Sequence, residues 1–162
     1  METRFWEAHA GRAFVGRLAP GTDLVAEIER FCADQDIRSA WVSVVGAVSH
    51  AAFGYYEQDE RRYIELSSDY HHEITSFTGN VSLRDGKPFL HAHAGFASRD
   101  GGSVGGHVLR GCTVFVGEVT IREMSDVELQ RVPDEATGLA LWPLEEPIDG
   151  PPGAASEREG AG

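Results

Sequence analysis

The chain has 162 residues, of which 41% are hydrophobic and 9% aromatic. This composition suits the core of one globular domain and excludes a chain that is disordered throughout. Fourteen Lys and Arg stand against 26 Asp and Glu, for a net charge of −12, which repels phosphate backbones and opposes direct nucleic-acid binding. No apolar run approaches the roughly 18 residues of a spanning helix. The N-terminus resembles no secretion signal, and there are two cysteines, Cys32 and Cys112, so we expect a cytoplasmic protein.

The first third of the chain predicts a strand, a turn and a helix. Residues 14–18 read as a strand that ends at the Pro20-Gly21 turn signal, and Thr22 or Asp23 then supplies a helix N-cap. From Leu24 onward, apolar residues recur at helical spacing, and the pattern ends near Gln35-Asp36. This segment is the one helix that the sequence predicts.

The rest of the chain predicts strands. Asp85-Gly86 stands between two alternating segments and indicates a hairpin, whereas Gly101 to Gly106 reads as a glycine-rich loop. The expected fold is a single α+β domain over residues 1–146, with a largely antiparallel curved sheet and the helix packed on one face. The Pro-, Gly- and Ala-rich residues 147–162 are expected to form a disordered tail. The predicted strands cover residues 40–45, 48–57, 62–67, 72–83, 88–97, 114–122 and 127–132.

Three histidines form the strongest chemical pattern in the sequence. His91 and His93 stand two apart on a predicted strand, so their side chains share one face about 6–7 Å apart. A hairpin-like return after residue 97 would bring His107 to the same pair. Three imidazoles without a cysteine are the ligand set of an open, catalytic type of zinc site. The alternative is that the histidines are polar positions on an exposed strand and in a loop.

Other candidates are less specific. Glu73 and Glu118 are acidic residues that could act as a proton carrier or orient a ligand histidine. Cys112 precedes an apolar strand and is expected to be buried rather than nucleophilic. The glycine-rich segment lacks the ending of a phosphate-binding loop. The remaining histidines are expected at the surface or at an interface, namely His9, His50, His71 and His72.

The combined motifs resemble the plant and prokaryote conserved domain, also known as DUF296. The resemblance extends from about Arg12 to Ile121. It is carried by Glu73, Gly79-Asn80, Asp85-Gly86-Lys87-Pro88, His91-x-His93 and Gly105-Gly106-His107. It implies an α+β domain that assembles as a homotrimer, and the histidine motif of the family falls on His91, His93 and His107. Plant members carry an AT-hook before the domain, and no Arg-Gly-Arg-Pro hook occurs in this sequence.

The sequence therefore supports one leading hypothesis and two alternatives. The leading hypothesis is a small homotrimer that binds zinc, or another divalent transition metal, through His91, His93 and His107. If the site is catalytic, it would serve a hydrolase or lyase acting on a small-molecule ligand, with Glu73 or Glu118 as the base. The alternatives are a DNA-associated regulatory protein, which the names of family members suggest, and a metal-free trimeric interaction module.

Overall fold

A computed structural model describes residues 3–144 of the chain, so the predicted tail at 147–162 and the domain boundary at 146 lie outside the described residues. Within this range no helix has the length and apolar character needed to cross a membrane. The described elements are β1 (His9–Leu18), α1 (Leu24–Asp34), β2 (Ala40–Glu57), β3 (Arg62–Ser68), β4 (His72–Arg84), β5 (Lys87–Ala97), β6 (Ser103–Val108), β7 (Thr113–Ser125), β8 (Gln130–Pro133) and β9 (Ala140–Leu141).

The helix forms where the sequence predicts it. Asp23 is the N-cap, and its side chain accepts a hydrogen bond from the Ala26 amide at 2.8 Å, which satisfies a donor that the first turn leaves unpaired. Leu24, Ile28 and Cys32 are buried on one side of the helix. This apolar side packs into the hydrophobic core of the sheet.

The strands form one curved sheet in the order β1-β7-β2-β6-β5-β4-β8-β9, with β3 paired to β2. An additional pairing between β2 and β4 closes a ring through β4, β5 and β6. All pairings of the described strands are antiparallel except that of β8 with β4. The prediction of an α+β domain with a largely antiparallel curved sheet is confirmed.

Strand β2 differs from the sequence prediction of two separate strands. It is continuous from residue 40 to 57, and its register with β4 and β7 shifts around Gly46 and beyond it. Gly46 has a φ of 148°, and a Cβ at this position would overlap the carbonyl of Val116 on β7. The glycine therefore marks a close approach of two strands inside one element, not an end.

The glycine-rich segment is also more ordered than expected. Only residues 98–102 form a turn, held by hydrogen bonds from Ser98 and Gly102 to the Asp100 side chain. Gly105 and Gly106 lie within β6, and a Cβ on either would overlap a backbone carbonyl of a neighbouring strand. These glycines allow β6 to pass close to β5 and β2, which is why a pattern typical of loops forms a strand here.

Successive side chains of β5 point alternately to the two faces of the sheet. Leu90, Ala92 and Ala94 alternate along it and are buried in the core with α1. The residues between them, His91 and His93, point to the opposite face, which we call the outer face. The small side chains of Ala92 and Ala94 permit close packing on the core face, opposite the histidines.

Candidate metal centre

The structure brings His91, His93 and His107 together on the outer face. His93 and His107 are direct partners in the antiparallel pairing of β5 with β6, so β6 is the return segment that the sequence analysis required. One ring nitrogen of each histidine lies within 4.8 Å of those of the other two. All three come from a single chain, so no second subunit is needed to complete the group.

The chemistry of this histidine cluster fits a metal ion. Burial lowers the pKa of both His91 and His107 to about 4, with smaller contributions from neighbouring positive groups. Both rings are therefore neutral at pH 7 and keep a lone pair for a ligand bond. The Nδ1 atom of His107 is buried without a hydrogen-bond partner in the described residues. Zinc–nitrogen bonds of about 2.0–2.1 Å place two ligands of a tetrahedron ~3.3 Å apart, so small ring rotations would close the cluster.

A buried arginine that the sequence analysis did not single out lies beside the histidine cluster. Arg131 on β8 is 8% exposed, and its guanidinium donates to Ser82 Oγ, Asn80 Oδ1 and the Ala140 carbonyl at 2.9, 2.9 and 3.2 Å. Asn80 is the cross-strand partner of His91. The Asn80 side chain therefore lies between Arg131, which donates to it, and the histidine cluster. No local sequence pattern predicts this contact, because it depends on the parallel pairing of β8 with β4.

Aromatic rings pack against both His107 and Arg131. Tyr63 on β3 packs against His107 with 5.1 Å between ring centroids. On the other side, the Arg131 guanidinium lies over the rings of Phe89 and Trp142, at 5.4 and 5.6 Å from their centroids. Such contacts favour a cation in a partly dry environment. The Nε1 of Trp142 is buried and has no hydrogen-bond partner among the described residues.

A gap in the sheet opens next to the histidine cluster. Strand β6 pairs with β5 only from residue 93 onward, so residues 87–92 have a free edge on that side. A cavity of about 580 Å³ occupies this gap, with His107 and Phe89 among its lining residues. The Leu90 amide on this free edge donates a hydrogen bond to the Glu29 carboxylate of α1 at 3.0 Å, which satisfies one of the backbone groups that the sheet leaves unpaired. Of the three histidines, His107 lines the cavity, so a ligand there would approach the cluster from the side of His107.

Neither predicted acidic residue joins the histidine cluster. Glu73 on β4 lies opposite Ala97, and Glu118 on β7 lies opposite Val45; both are exposed. Among the described residues, the ligand atoms close enough to share one ion are those of the three histidines. An active role of either glutamate therefore requires it to act on a ligand from a distance, and it stays a prediction.

His72 differs from the expected surface histidine. It is 4% exposed, and its Nε2 lies 2.8 Å from Ser68 Oγ. Its ring also packs edge-on against Phe96 in the core. The neighbouring His71, which comes just before β4, is exposed and stacks on Phe115. His72 is a core residue, because the alternation of β4 turns it inward.

Fold and site together define a class: a small α+β domain with a three-histidine cluster capable of holding a metal on the outer face of its sheet. The model of the Plants and Prokaryotes Conserved (PCC) domain matches residues 6–125. The chain therefore belongs to the PCC domain family, as the resemblance of its motifs implied.

Solved structures share this fold over nearly their whole length. A metal-containing protein from Archaeoglobus fulgidus is 39% identical, with a TM-score of 0.83 over 86% of this chain and 99% of that one. A plant- and prokaryote-conserved protein from Pyrococcus horikoshii is 31% identical, with a TM-score of 0.82 over 87% and 97%. A protein from Ralstonia eutropha to which DNA binding is attributed is 26% identical, with a TM-score of 0.71 over 81% and 90%.

Curated relatives are much longer than this chain. The bifunctional protein GlmU of two Synechococcus strains is 29% and 30% identical, over 93% and 84% of this chain. The matched regions make up 23% and 20% of those proteins. The chain thus corresponds to one part of each relative.

Proposed function

We propose that the protein binds a divalent transition metal through His91, His93 and His107, and that zinc is the leading candidate. The observation that carries the proposal is the convergence of three imidazole nitrogens to within 4.8 Å of one another, two of them on rings whose lowered pKa keeps them neutral. The similar Archaeoglobus fulgidus protein is described as metal-containing. A bound ion of this kind would polarise an oxygen of a small molecule or acidify a bound water.

The residues of this chain would arrange the reaction around that ion. Two strands hold the imidazoles, and the backbone pairing of His93 with His107 fixes their spacing. Tyr63 covers one side of His107, while the cavity beside that ring admits a small ligand. Three protein ligands leave a fourth position for water or substrate. The proposed activity is that of a hydrolase or lyase on a small molecule.

Metal analysis of the purified full chain tests this proposal. We expect about one zinc per chain in the wild type and less than a tenth of that in the triple variant H91A/H93A/H107A. His50→Ala is the matched control, because His50 is a partly exposed histidine that pairs with Asp69 at 2.8 Å, outside the cluster. Equal metal contents in the wild type and the triple variant would contradict the proposal, provided that circular dichroism shows both to be folded.

The proposal also includes a homotrimer in the cytoplasm. The outer face of β1, β7 and β2 exposes large apolar side chains, with Val15 85%, Val45 65% and Trp41 47% exposed, and a second copy of the chain is the occupant we propose for it. Both cysteines are free thiols, which agrees with a reducing compartment. Direct DNA binding is disfavoured because the net charge of −12 repels the phosphate backbone.

A further inference from the structure

Among the described residues, the guanidinium of Arg131 is a buried cation without a matching anion. Its three hydrogen-bond partners, Ser82, Asn80 and the carbonyl of Ala140, are all neutral. No ion pair involving Arg131 occurs within residues 3–144. Beyond the effect of burial, the charged side chain with the largest electrostatic effect on Arg131 is Arg84, which is also positive and lowers the pKa of Arg131. A buried charge is strongly unfavourable unless an opposite charge or a metal compensates it.

The position of Arg131 adds to this imbalance. Its Nη2 lies 2.9 Å from Asn80 Oδ1, and Asn80 faces His91 across the pairing of β4 with β5. Cross-strand partners on one face have Cβ atoms about 4.5–5.5 Å apart. A divalent ion on the histidine cluster would therefore place two further positive charges close to an uncompensated arginine. The combination calls for an anion between them.

The unused donors indicate which anion fits. A guanidinium has five N–H groups, and the three hydrogen bonds of Arg131 to residues within 3–144 leave one N–H on Nη1 and one on Nη2. Two donors match the two oxygens of a carboxylate, the geometry that arginine favours. The Nε1–H of Trp142, whose ring lies over the same guanidinium, is a further buried donor without a partner among the described residues.

We propose that the site takes a small carboxylate, which Arg131 binds while the ligand occupies the open position of the metal. The inference rests on the proposed metal site and adds the substrate class to it. His107 and Phe89 both line the cavity of about 580 Å³, and the Phe89 ring also packs against the Arg131 guanidinium, so the cavity lies beside both parts of this arrangement. Trp142 is assigned as a positioning residue that keeps the guanidinium in place and adds a donor.

Calorimetric titration of the zinc-loaded full chain tests the carboxylate, with acetate as the probe, acetamide as its uncharged counterpart and inorganic phosphate as the competing oxyanion. We expect acetate to bind at least ten times more tightly than acetamide and phosphate. Arg131→Met should weaken acetate at least tenfold, and Arg131→Lys, which keeps the charge but loses the paired donors, several-fold. Trp142→Phe keeps an aromatic ring but removes the Nε1–H donor, and should weaken acetate binding about threefold.

Zinc content, measured on the same samples, separates this inference from the metal proposal. Wild-type protein without zinc overturns the metal proposal; full zinc with unchanged acetate affinity in the Arg131 variants overturns the carboxylate inference alone. Phosphate binding in place of acetate also overturns it. If Arg131→Met does not fold, Arg131→Lys and Trp142→Phe decide. The double variant E145Q/E146Q should bind acetate as the wild type does; tighter binding would mean that the chain supplies its own carboxylate to Arg131, which contradicts a free ligand.

Discussion

At the scale of single residues, the two cysteines are buried core residues and not chemical groups of the site. Cys32 and Cys112 are both 0% exposed. Burial raises the pKa of Cys32 to about 12 and raises the pKa of Cys112 as well. Because only the thiolate reacts, both side chains act as small apolar groups, as the sequence suggested for Cys112.

This burial predicts slow thiol modification. A pKa near 12 leaves almost no thiolate at pH 8, so a disulfide reagent should react with Cys32 about a thousandfold more slowly than with a free cysteine. Raising the pH from 7 to 9 increases the thiolate fraction but keeps it small, so fast reaction should appear only in denaturant. Spectrophotometric thiol counting checks this, and two rapidly reacting thiols in the native protein would contradict it.

Single residues also show where sequence reasoning works. The spacing of His91 and His93 fixes their shared face, because alternation along a strand is a local property. Arg131 is different: its partners Asn80 and Ser82 lie some fifty positions earlier in the chain. Nothing local marks such a residue, since its role depends on which strand β8 joins.

At the scale of elements, β6 is the part that completes the histidine cluster. It passes close to β5 and β2 because Gly105 and Gly106 lack side chains, and its last two residues, His107 and Val108, pair with Gly54 and Phe53 of β2. The sequence predicts the helix and the Asp85-Gly86 turn correctly, since both have local signals. It misreads β6, because glycine is equally compatible with a loop and with close strand packing.

The packing of β6 predicts the effect of Gly106→Ala. The new Cβ would overlap the Gly54 carbonyl at a φ of 159°, so the strand must shift and carry His107 with it. We expect a loss of about 1–3 kcal/mol in the free energy of unfolding and at least tenfold weaker zinc binding, measured by thermal unfolding and competition with a chelator. Gly16→Ala is the control, since its Cβ would have 3.6 Å to the nearest atom. Equal zinc affinity in the two variants would show that β6 does not position His107.

At the scale of the whole molecule, the proposed trimer predicts a measurable mass. Light scattering should give about 53 kDa, three times the 17.6 kDa of the chain. Val45→Lys, in the exposed apolar face of β2, should lower this mass, whereas Lys87→Glu in the β4–β5 hairpin should not. Chelator should leave the mass unchanged because one chain supplies all three histidines. A wild-type mass of one chain would contradict the trimer.

The two parts of the proposed site lie on separate stretches of the chain, and the parallel pairing of β8 with β4 brings them together. The histidines occupy one hairpin between positions 91 and 107, whereas Arg131 arrives from a short strand added at the far edge of β4. Evolution could therefore vary the arginine strand and leave the histidine hairpin intact. Homologues that keep the hairpin and change β8 would retain the proposed metal ligands and accept different small molecules.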